Sequence, residues 1–195
     1  MSGLPLQAPL RDVQAMLHAT RQQWGGRSDL WVFGYASLIW RPEFEFAEQR
    51  WAKVHGYHRA LKMWSRVNRG TPDFPGLVFA LLHGGSCRGV AYRIERKRAD
   101  EALERLWHRE MPNGVYDPRW LPCSTERGTV QALAFTLSRR SPNYTGQLRA
   151  EQLRHIFQHA KGRYGTTLDY ARLTHQCLRD AGIHDELLTR MLEHA

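Results

Sequence analysis

Apolar residues recur every three or four positions near the amino terminus, a spacing that predicts an amphipathic helix. Its apolar face comprises Leu10, Val13, Met16 and Leu17. The pair Gly25-Gly26 ends this helix, because glycine readily adopts the left-handed conformation that follows many helices. The same spacing predicts a helix from Ala99 to Arg109 and a helical region from about Gln147 onwards.

Runs of aromatic and β-branched residues predict the strands. The first runs from Trp31 to Tyr35, and residues 48–66 predict two strands with a bend at Gly56. Residues 76–94 contain two apolar runs on either side of Gly84-Gly85-Ser86, a pattern typical of a β-hairpin. Two further strands flank Glu126-Arg127-Gly128.

This order of elements lacks an alternation of strand and helix, so a doubly wound sheet is not expected. It favours an α+β fold with a mixed, mostly antiparallel sheet that closes into a β-barrel and is flanked by α-helices. We predict one domain over residues 1–195, with residues 1–28 as an N-terminal helical extension and residues 147–195 as a helical C-terminal part.

Composition indicates a cytoplasmic protein with an ordinary core. The chain has 195 residues, of which 42% are hydrophobic. No apolar stretch reaches the roughly 20 residues of a membrane span, and the first residues lack the order of a signal peptide. Cys87, Cys123 and Cys177 are odd in number and scattered, so we expect reduced thiols.

The formal charge of +9 leaves a second class of function open. A basic, aromatic-rich β-barrel that binds RNA or single-stranded DNA would use residues such as Trp51, Tyr57 and Trp64. Against this, the basic residues are spread out, with one tight cluster at Arg93–Arg98. We interpret the charge as a solvated surface that helps to attract an anionic small substrate.

Familiar site motifs are missing from the sequence. It contains no Walker A loop, no GxGxxG, no HExxH and no GxSxG. His155 and His159 lie four residues apart on a predicted helix, but no third ligand stands nearby, so we interpret them as surface residues. We predict neither a metal nor an organic cofactor.

Two unusual strings remain. In "WVFGYASLIW" a strand pattern ends in the small residues Gly34-Tyr35-Ala36-Ser37, and in "LWHREMPNGVYDP" an apolar helical pattern ends at Glu110. A carboxyl group withdrawn from water has a raised pKa and suits proton transfer. The residues alone nevertheless favour a surface carboxylate, or a partner of Arg109 or Arg119.

The string "VFGYASLIW" resembles the "FGYGSLIW" signature of the ChaC-type γ-glutamylcyclotransferases. The likeness continues in order through "GYHRALK" to "GVAYRI", "LWHREMPNGVY" and "SPNYTGQL", over roughly Trp31 to Arg179. On these motifs the chain is identified as a member of that family. The resemblance implies a γ-glutamylcyclotransferase-like fold.

The resemblance also implies a reaction and a site. Glutathione would be cleaved to 5-oxoproline and Cys-Gly by attack of its α-amine on its γ-carbonyl, with Glu110 as general base and acid and no cofactor. The implied substrate-binding residues are Val32, Phe33, Gly34, Tyr35, Ala36, Ser37, Leu38 and Tyr144. For Tyr144 a role as an ordinary core tyrosine is equally open, and so is surface placement for Arg66 and Arg69, the candidates to meet the glycyl carboxylate.

The sequence departs from the family pattern at Ala36, where the family has glycine. A positive φ at this position would strain an alanine, whereas a negative φ would make the change mild. The departure leaves open another γ-glutamyl amino acid or amine as the substrate. We expect a small-molecule substrate, with neither nucleic acid nor membrane as a partner, and the oligomeric state stays unknown.

Overall fold

The computed structural model describes residues 11–193. The helices are α1 (Val13–Trp24), α2 (Ser37–Trp40), α3 (Arg96–Glu110), α4 (Ala150–His159), α5 (Thr167–Asp180) and α6 (Glu186–Leu192). The strands are β1 (Leu30–Gly34), β2 (Glu48–Ser65), β3 (Gly76–Ile94), β4 (Asp117–Thr125), β5 (Gly128–Thr136), β6 (Lys161–Gly162) and β7 (Gly165–Thr166).

The first predicted helix is confirmed, together with the glycine that ends it. The side chain of Asp12 accepts hydrogen bonds from two first-turn N–H groups, and Gly25 has a left-handed φ of 74°. The N–H of Gly25 donates to the carbonyl of Arg21. Of the predicted apolar face, Leu17 is buried, while Leu10 lies outside the described residues.

The long strands form a closed barrel in the order β1-β3-β2-β4-β5, and β3 also pairs with β5. The pairs β1–β3 and β4–β5 are antiparallel. Strand β5 runs parallel to β1 at Val32 and Leu133, and parallel to β3 at Leu81 and Thr136. The predicted mixed, mostly antiparallel and closed sheet is therefore confirmed.

The predicted hairpin at Gly84-Gly85-Ser86 is wrong, because β3 runs through these residues without a break. Gly84 and Gly85 have φ values of 105° and 72°, which a strand tolerates at a bulge. The ring Nδ1 of His58 lies 2.8 Å from the carbonyl oxygen of Gly84. The end of β3 pairs instead with β1, in a register that sets Leu30 opposite Ile94.

The predicted division of residues 48–66 into two strands is also wrong, since β2 is one strand. The bend at Gly56 is real, with a φ of 82°. Buried positions change phase across it, from Ala52 and Val54 before the glycine to Arg59 and Leu61 after it. One extra residue in a strand reverses which alternate side chains face the core. The alternation of apolar residues in the sequence therefore changes phase at Gly56, as it would between two separate strands.

The described chain divides into two compact units. The first comprises the described residues up to Arg59 together with Leu81–Pro142, and contains α1, α2 and α3. Its core includes Phe33, Leu103 and Phe135, each at most 2% exposed.

The second unit comprises Ala60–Ala80 and the described residues from Asn143 onwards. It contains α4, α5 and α6 and the short β6–β7 hairpin, which interrupts the predicted helical tail. The N–H of Leu77 donates to Oγ1 of Thr167 at 2.9 Å. The prediction of one domain stays a prediction.

All three cysteines are free thiols, with Cys87 and Cys123 buried and Cys177 half-buried. Burial raises the pKa of the Cys123 thiol to about 12. Within residues 11–193, no helix has the length and apolar character to cross a membrane.

Gly34 ends β1 because a side chain has no room there. A Cβ atom at this position would lie 2.8 Å from Cβ of Leu38 and 3.3 Å from the ring of Tyr92. The hydroxyl of Tyr92 donates to the carbonyl oxygen of Leu38 at 2.8 Å. Leu38 is thus held against the end of the strand, in the first turn of α2.

We predict that Gly34→Ala lowers the free energy of unfolding by about 1–3 kcal/mol, the usual cost of overpacking a core. Denaturant unfolding measures the change. The matched control is Ala36→Gly: φ at Ala36 is −143°, so this exchange should cost only about 0.4–1 kcal/mol. Equal losses in the two variants would contradict the packing argument.

A cluster of charges fixes the start of β1. The guanidinium of Arg93 contacts Asp29 at 2.6 Å and Glu48 at 3.0 Å, and Arg50 contacts the other carboxylate oxygen of Glu48 at 2.6 Å. Hydrogen bonds from Arg50 and then from Arg93 lower the pKa of Glu48 to about 2. The carboxylate is therefore bound in its charged form.

We predict that Glu48→Gln destabilises the protein at neutral pH, and that the difference from wild type shrinks as the pH falls from about 4.5 to about 2. The sign follows from the lowered pKa: the folded state holds Glu48 charged in a range where the unfolded chain takes up a proton. Thermal unfolding across this range checks it. The control Glu101→Gln removes an exposed carboxylate from α3 and should show no such pH dependence.

Candidate active site

Glu110 is the last residue of α3, the helix whose buried face includes Leu103, Leu106 and Trp107. The indole Nε1 of Trp107 donates to the carbonyl oxygen of Val13 at 2.8 Å, which anchors the final turn. The side chain of Glu110 is only 16% exposed. An amphipathic helix thus carries its last carboxyl group to the border of the core.

The chain turns away directly after Glu110. The N–H of Gly114 donates to the carbonyl oxygen of Met111 at 3.1 Å, and Gly114 has a φ of 60°. The sequence Pro112-Asn113-Gly114 therefore forms the tight turn that its composition predicts. This turn stops the helix at the residue that carries the carboxyl group.

Three influences act on the proton affinity of Glu110. Burial is the largest and raises its pKa, Arg109 opposes this as a cation and hydrogen-bond donor, and Glu43 raises it further as a like charge. The net effect is a pKa above the ordinary glutamate value. A carboxyl group with such a pKa can both take and return a proton.

The small-residue string forms a turn and a short helix rather than a longer strand. Strand β1 ends at Gly34, and α2 begins at Ser37. The N–H of Ile39 donates to the carbonyl oxygen of Ala36 at 2.8 Å. The sequence Tyr35-Ala36-Ser37 is therefore the connection between a barrel strand and a helical turn, which we call the Tyr35–Ser37 turn.

One guanidinium joins this turn to Glu110. Nε of Arg109 lies 3.0 Å from Oε1 of Glu110, and Nη2 lies 2.9 Å from Oγ of Ser37. Nη1 contacts the carbonyl oxygen of Arg41 and lies 3.0 Å from Oε2 of Glu43. The structure thus brings together the two unusual strings of the sequence. The residue that joins them, Arg109, was predicted neither as a catalytic nor as a substrate-binding residue.

Hydrogen bonds to buried residues also hold the Tyr35–Ser37 turn in place. Arg59 is only 8% exposed, and its Nη1 donates to the carbonyl oxygens of Tyr35 at 2.7 Å and Arg88 at 3.0 Å. The hydroxyl of Tyr35 donates to the carbonyl oxygen of Phe135 at 3.0 Å. The hydroxyl and the carbonyl group of Tyr35 therefore both help to fix the turn.

The other predicted binding residues divide by exposure. Val32 and Phe33 have no exposed surface, and Leu38 is 6% exposed, so their side chains belong to the core. Ser37 is half-buried and turned to Arg109. Ala36 has a φ of −143°, so the strain of a left-handed alanine does not arise.

Three predicted residues lie in the second unit. Tyr144 is half-buried and forms an isolated antiparallel bridge with Met63. Arg66 donates to Oδ1 of Asn143 at 3.1 Å. Arg69 donates to the carbonyl oxygen of Tyr164, and its guanidinium lies 4.9 Å from the centre of the Tyr170 ring. Roles of these residues towards a substrate stay predictions.

No group of three or more His, Cys, Asp or Glu side chains suited to a metal ion occurs in the part of the chain that the structure describes. The rings of His155 and His159 lie 4.5 Å apart, and Phe74 packs edge-on against both.

Sequence reasoning missed Arg59 and Glu43. A signal existed for Arg59, which alternates with Leu61 and Met63 and so shares their inward face. No such signal marked Glu43, which lies in a loop with a φ of 58°.

The chain is similar in sequence to a known family and to several curated proteins. The model of the ChaC-like protein family matches residues 30–195. The glutathione-specific γ-glutamylcyclotransferase of Escherichia coli K12 is 37% identical over 84% of this chain and 71% of its own length. The human glutathione-specific γ-glutamylcyclotransferase 1 is 33% identical over 75% of this chain and 68% of its own length.

A solved structure has the same fold. The crystal structure of a γ-glutamyl cyclotransferase specific to glutathione from yeast superimposes with a TM-score of 0.79 and covers 86% of this chain and 96% of its own. Its sequence identity is 23%. With a family match that spans most of the chain and relatives above 30% identity, the protein belongs to the ChaC-like family, as its motifs predicted.

Proposed function

We propose that this protein is a γ-glutamylcyclotransferase that cleaves glutathione into 5-oxoproline and cysteinylglycine. The observation that carries the proposal is the position of Glu110: a poorly exposed carboxyl group, joined by Arg109 to the Tyr35–Ser37 turn, in a chain of the ChaC-like family. The curated relatives with which it shares the family are named as glutathione-specific enzymes of this kind.

The reaction closes a ring inside the substrate. The α-amine of the γ-glutamyl group attacks its own γ-carbonyl carbon, a C–N bond forms, and the amide bond to cysteine breaks. Atoms balance without water or a second reactant. The attacking nitrogen must lose a proton and the leaving nitrogen must gain one, so one well-placed carboxyl group can perform both transfers.

Glu110 suits both transfers because of its surroundings. Burial raises its pKa above the ordinary glutamate value, so the carboxylate is a stronger base than an exposed glutamate. The nearby guanidinium of Arg109 acts in the opposite direction and favours the charged form. In the proposed reaction, the carboxylate of Glu110 accepts the proton of the attacking amine and then gives it to the leaving nitrogen.

The Tyr35–Ser37 turn suits the other half of the reaction. The γ-carbonyl oxygen gains negative charge as the tetrahedral centre forms, and backbone N–H groups stabilise such a charge. We assign this task to backbone N–H groups of the Tyr35–Ser37 turn, which lies at the end of β1. We assign the core residues Val32, Phe33 and Leu38 to support of this turn, with contact to substrate through the backbone.

We predict that Glu110→Gln keeps the fold and lowers the rate of 5-oxoproline formation by about 10²–10⁴-fold, because the amide cannot transfer the proton. Steady-state kinetics with glutathione measures the loss. The control Glu104→Gln removes an exposed carboxylate of the same helix, whose partner is Arg21, and should retain activity. Retention of more than about a tenth of wild-type activity in Glu110→Gln would refute the role.

We predict that glutathione is the preferred substrate in a panel that includes γ-glutamyl amino acids and γ-glutamyl amines. The relatives favour glutathione, and the negative φ at Ala36 gives no reason for a reshaped turn. The measurement is kcat/KM for each compound, read out as 5-oxoproline. A higher kcat/KM for a γ-glutamyl amine, reversed by Ala36→Gly, would transfer the proposal to the alternative substrate.

A further inference from the structure

Arg109 occupies a position that the reaction alone does not explain. Adjacent residues on a helix point in different directions, so contact between neighbours at positions 109 and 110 requires the arginine to fold back along the helix. It does so with each guanidinium nitrogen engaged: Nε at Glu110, Nη1 at Glu43 and Arg41, and Nη2 at Ser37. Its side chain is 18% exposed. The guanidinium is fixed at every nitrogen.

Glu43 is a second carboxylate that contacts the guanidinium of Arg109. Its carboxylate contacts Arg109 at 3.0 Å through one oxygen and Arg41 at 2.5 Å through the other. Among residues 11–193, Glu43 is the only non-glycine residue with a positive φ, which is 58°. Such a backbone costs free energy and persists where surrounding contacts demand it. Here the contacts are those that aim a carboxylate at Arg109.

The two acids compete for one cation. If Arg109 paired with Glu110 alone, the pair would hold Glu110 as a carboxylate and make the return of a proton difficult. Because Glu43 shares the same guanidinium, the attraction between Arg109 and Glu110 is weakened while the geometry is kept. The charged groups in contact within this cluster are Arg109 and Glu110 of α3 and Arg41 and Glu43 of the segment after α2.

We propose that Arg109, anchored by Glu43, is a positioning residue for the cyclisation: it fixes the carboxyl group of Glu110 relative to the Tyr35–Ser37 turn and controls its exchange of protons. This inference rests on the proposed function. The planar fork is essential to it, since a lysine carries the same charge but cannot meet Glu110, Ser37 and Glu43 at once.

The test separates charge from position with three variants. Arg109→Gln removes the cation, so Glu110 holds its proton more tightly and the acid limb of the pH profile of kcat/KM moves to higher pH. Glu43→Gln removes the like charge, so the same limb moves to lower pH. Arg109→Lys keeps the charge but loses the fork, so the limb stays near that of wild type while kcat falls on the order of 100-fold, the scale of an ångström misplacement.

A direct titration supports the kinetics. The carboxyl ¹³C resonance of Glu110, assigned by its loss in Glu110→Gln, should titrate at higher pH in Arg109→Gln and at lower pH in Glu43→Gln, without any substrate present. The matched control is Glu101→Gln, which breaks an exposed ion pair of Arg105 on the same helix and should move neither readout. Thermal unfolding of each variant establishes that it is folded.

Two results would overturn the inference. One is acid limbs that stay in place or move in the same direction in Arg109→Gln and Glu43→Gln, and the other is an Arg109→Lys variant that turns over like wild type. If Arg109→Gln fails to fold, Glu43→Gln and Arg109→Lys still decide. Wild-type protein that forms no 5-oxoproline would defeat the proposed function, whereas the ¹³C titration would still test the coupling of Arg109 and Glu43 to Glu110.

Discussion

The proposed chemistry of this protein depends on one carboxyl group that is withdrawn from water and in contact with one cation. Burial raises the pKa of Glu110, and the guanidinium of Arg109 opposes that rise. The fold produces both conditions at once, because the carboxyl group stands on the last turn of a helix whose apolar face lies in the core. Reactivity therefore arises from placement rather than from an unusual functional group.

Several residues of the barrel fix the Tyr35–Ser37 turn, to which Arg109 joins Glu110. Gly34 allows Leu38 to pack against the end of β1, and Tyr92 holds the carbonyl of Leu38. Arg59 fixes the carbonyl of Tyr35 from the interior. The Tyr35–Ser37 turn is thus supported on several sides by elements of the barrel, as the proposed role in holding a bent substrate requires.

Much of this architecture could be predicted from the sequence, and the exceptions have physical causes. Strong periodicity marked α1 and α3, and the motifs marked Glu110 and the Tyr35–Ser37 turn. The errors fell at glycines: Gly56 and the pair Gly84-Gly85 look like chain reversals, yet a strand absorbs them as irregularities when neighbouring strands hold both sides. Glu43 could not be found, because its role depends on a cation distant in sequence and on an unfavourable backbone conformation.

The burial of Cys87 and Cys123 matters because glutathione is itself a thiol. Exchange between thiols and disulfides proceeds through a thiolate, and a thiol with a pKa of about 12, as at Cys123, is almost entirely protonated at neutral pH. Cys87 is enclosed as well. An enzyme that acts on glutathione therefore keeps these two buried thiols out of mixed disulfides with its own substrate.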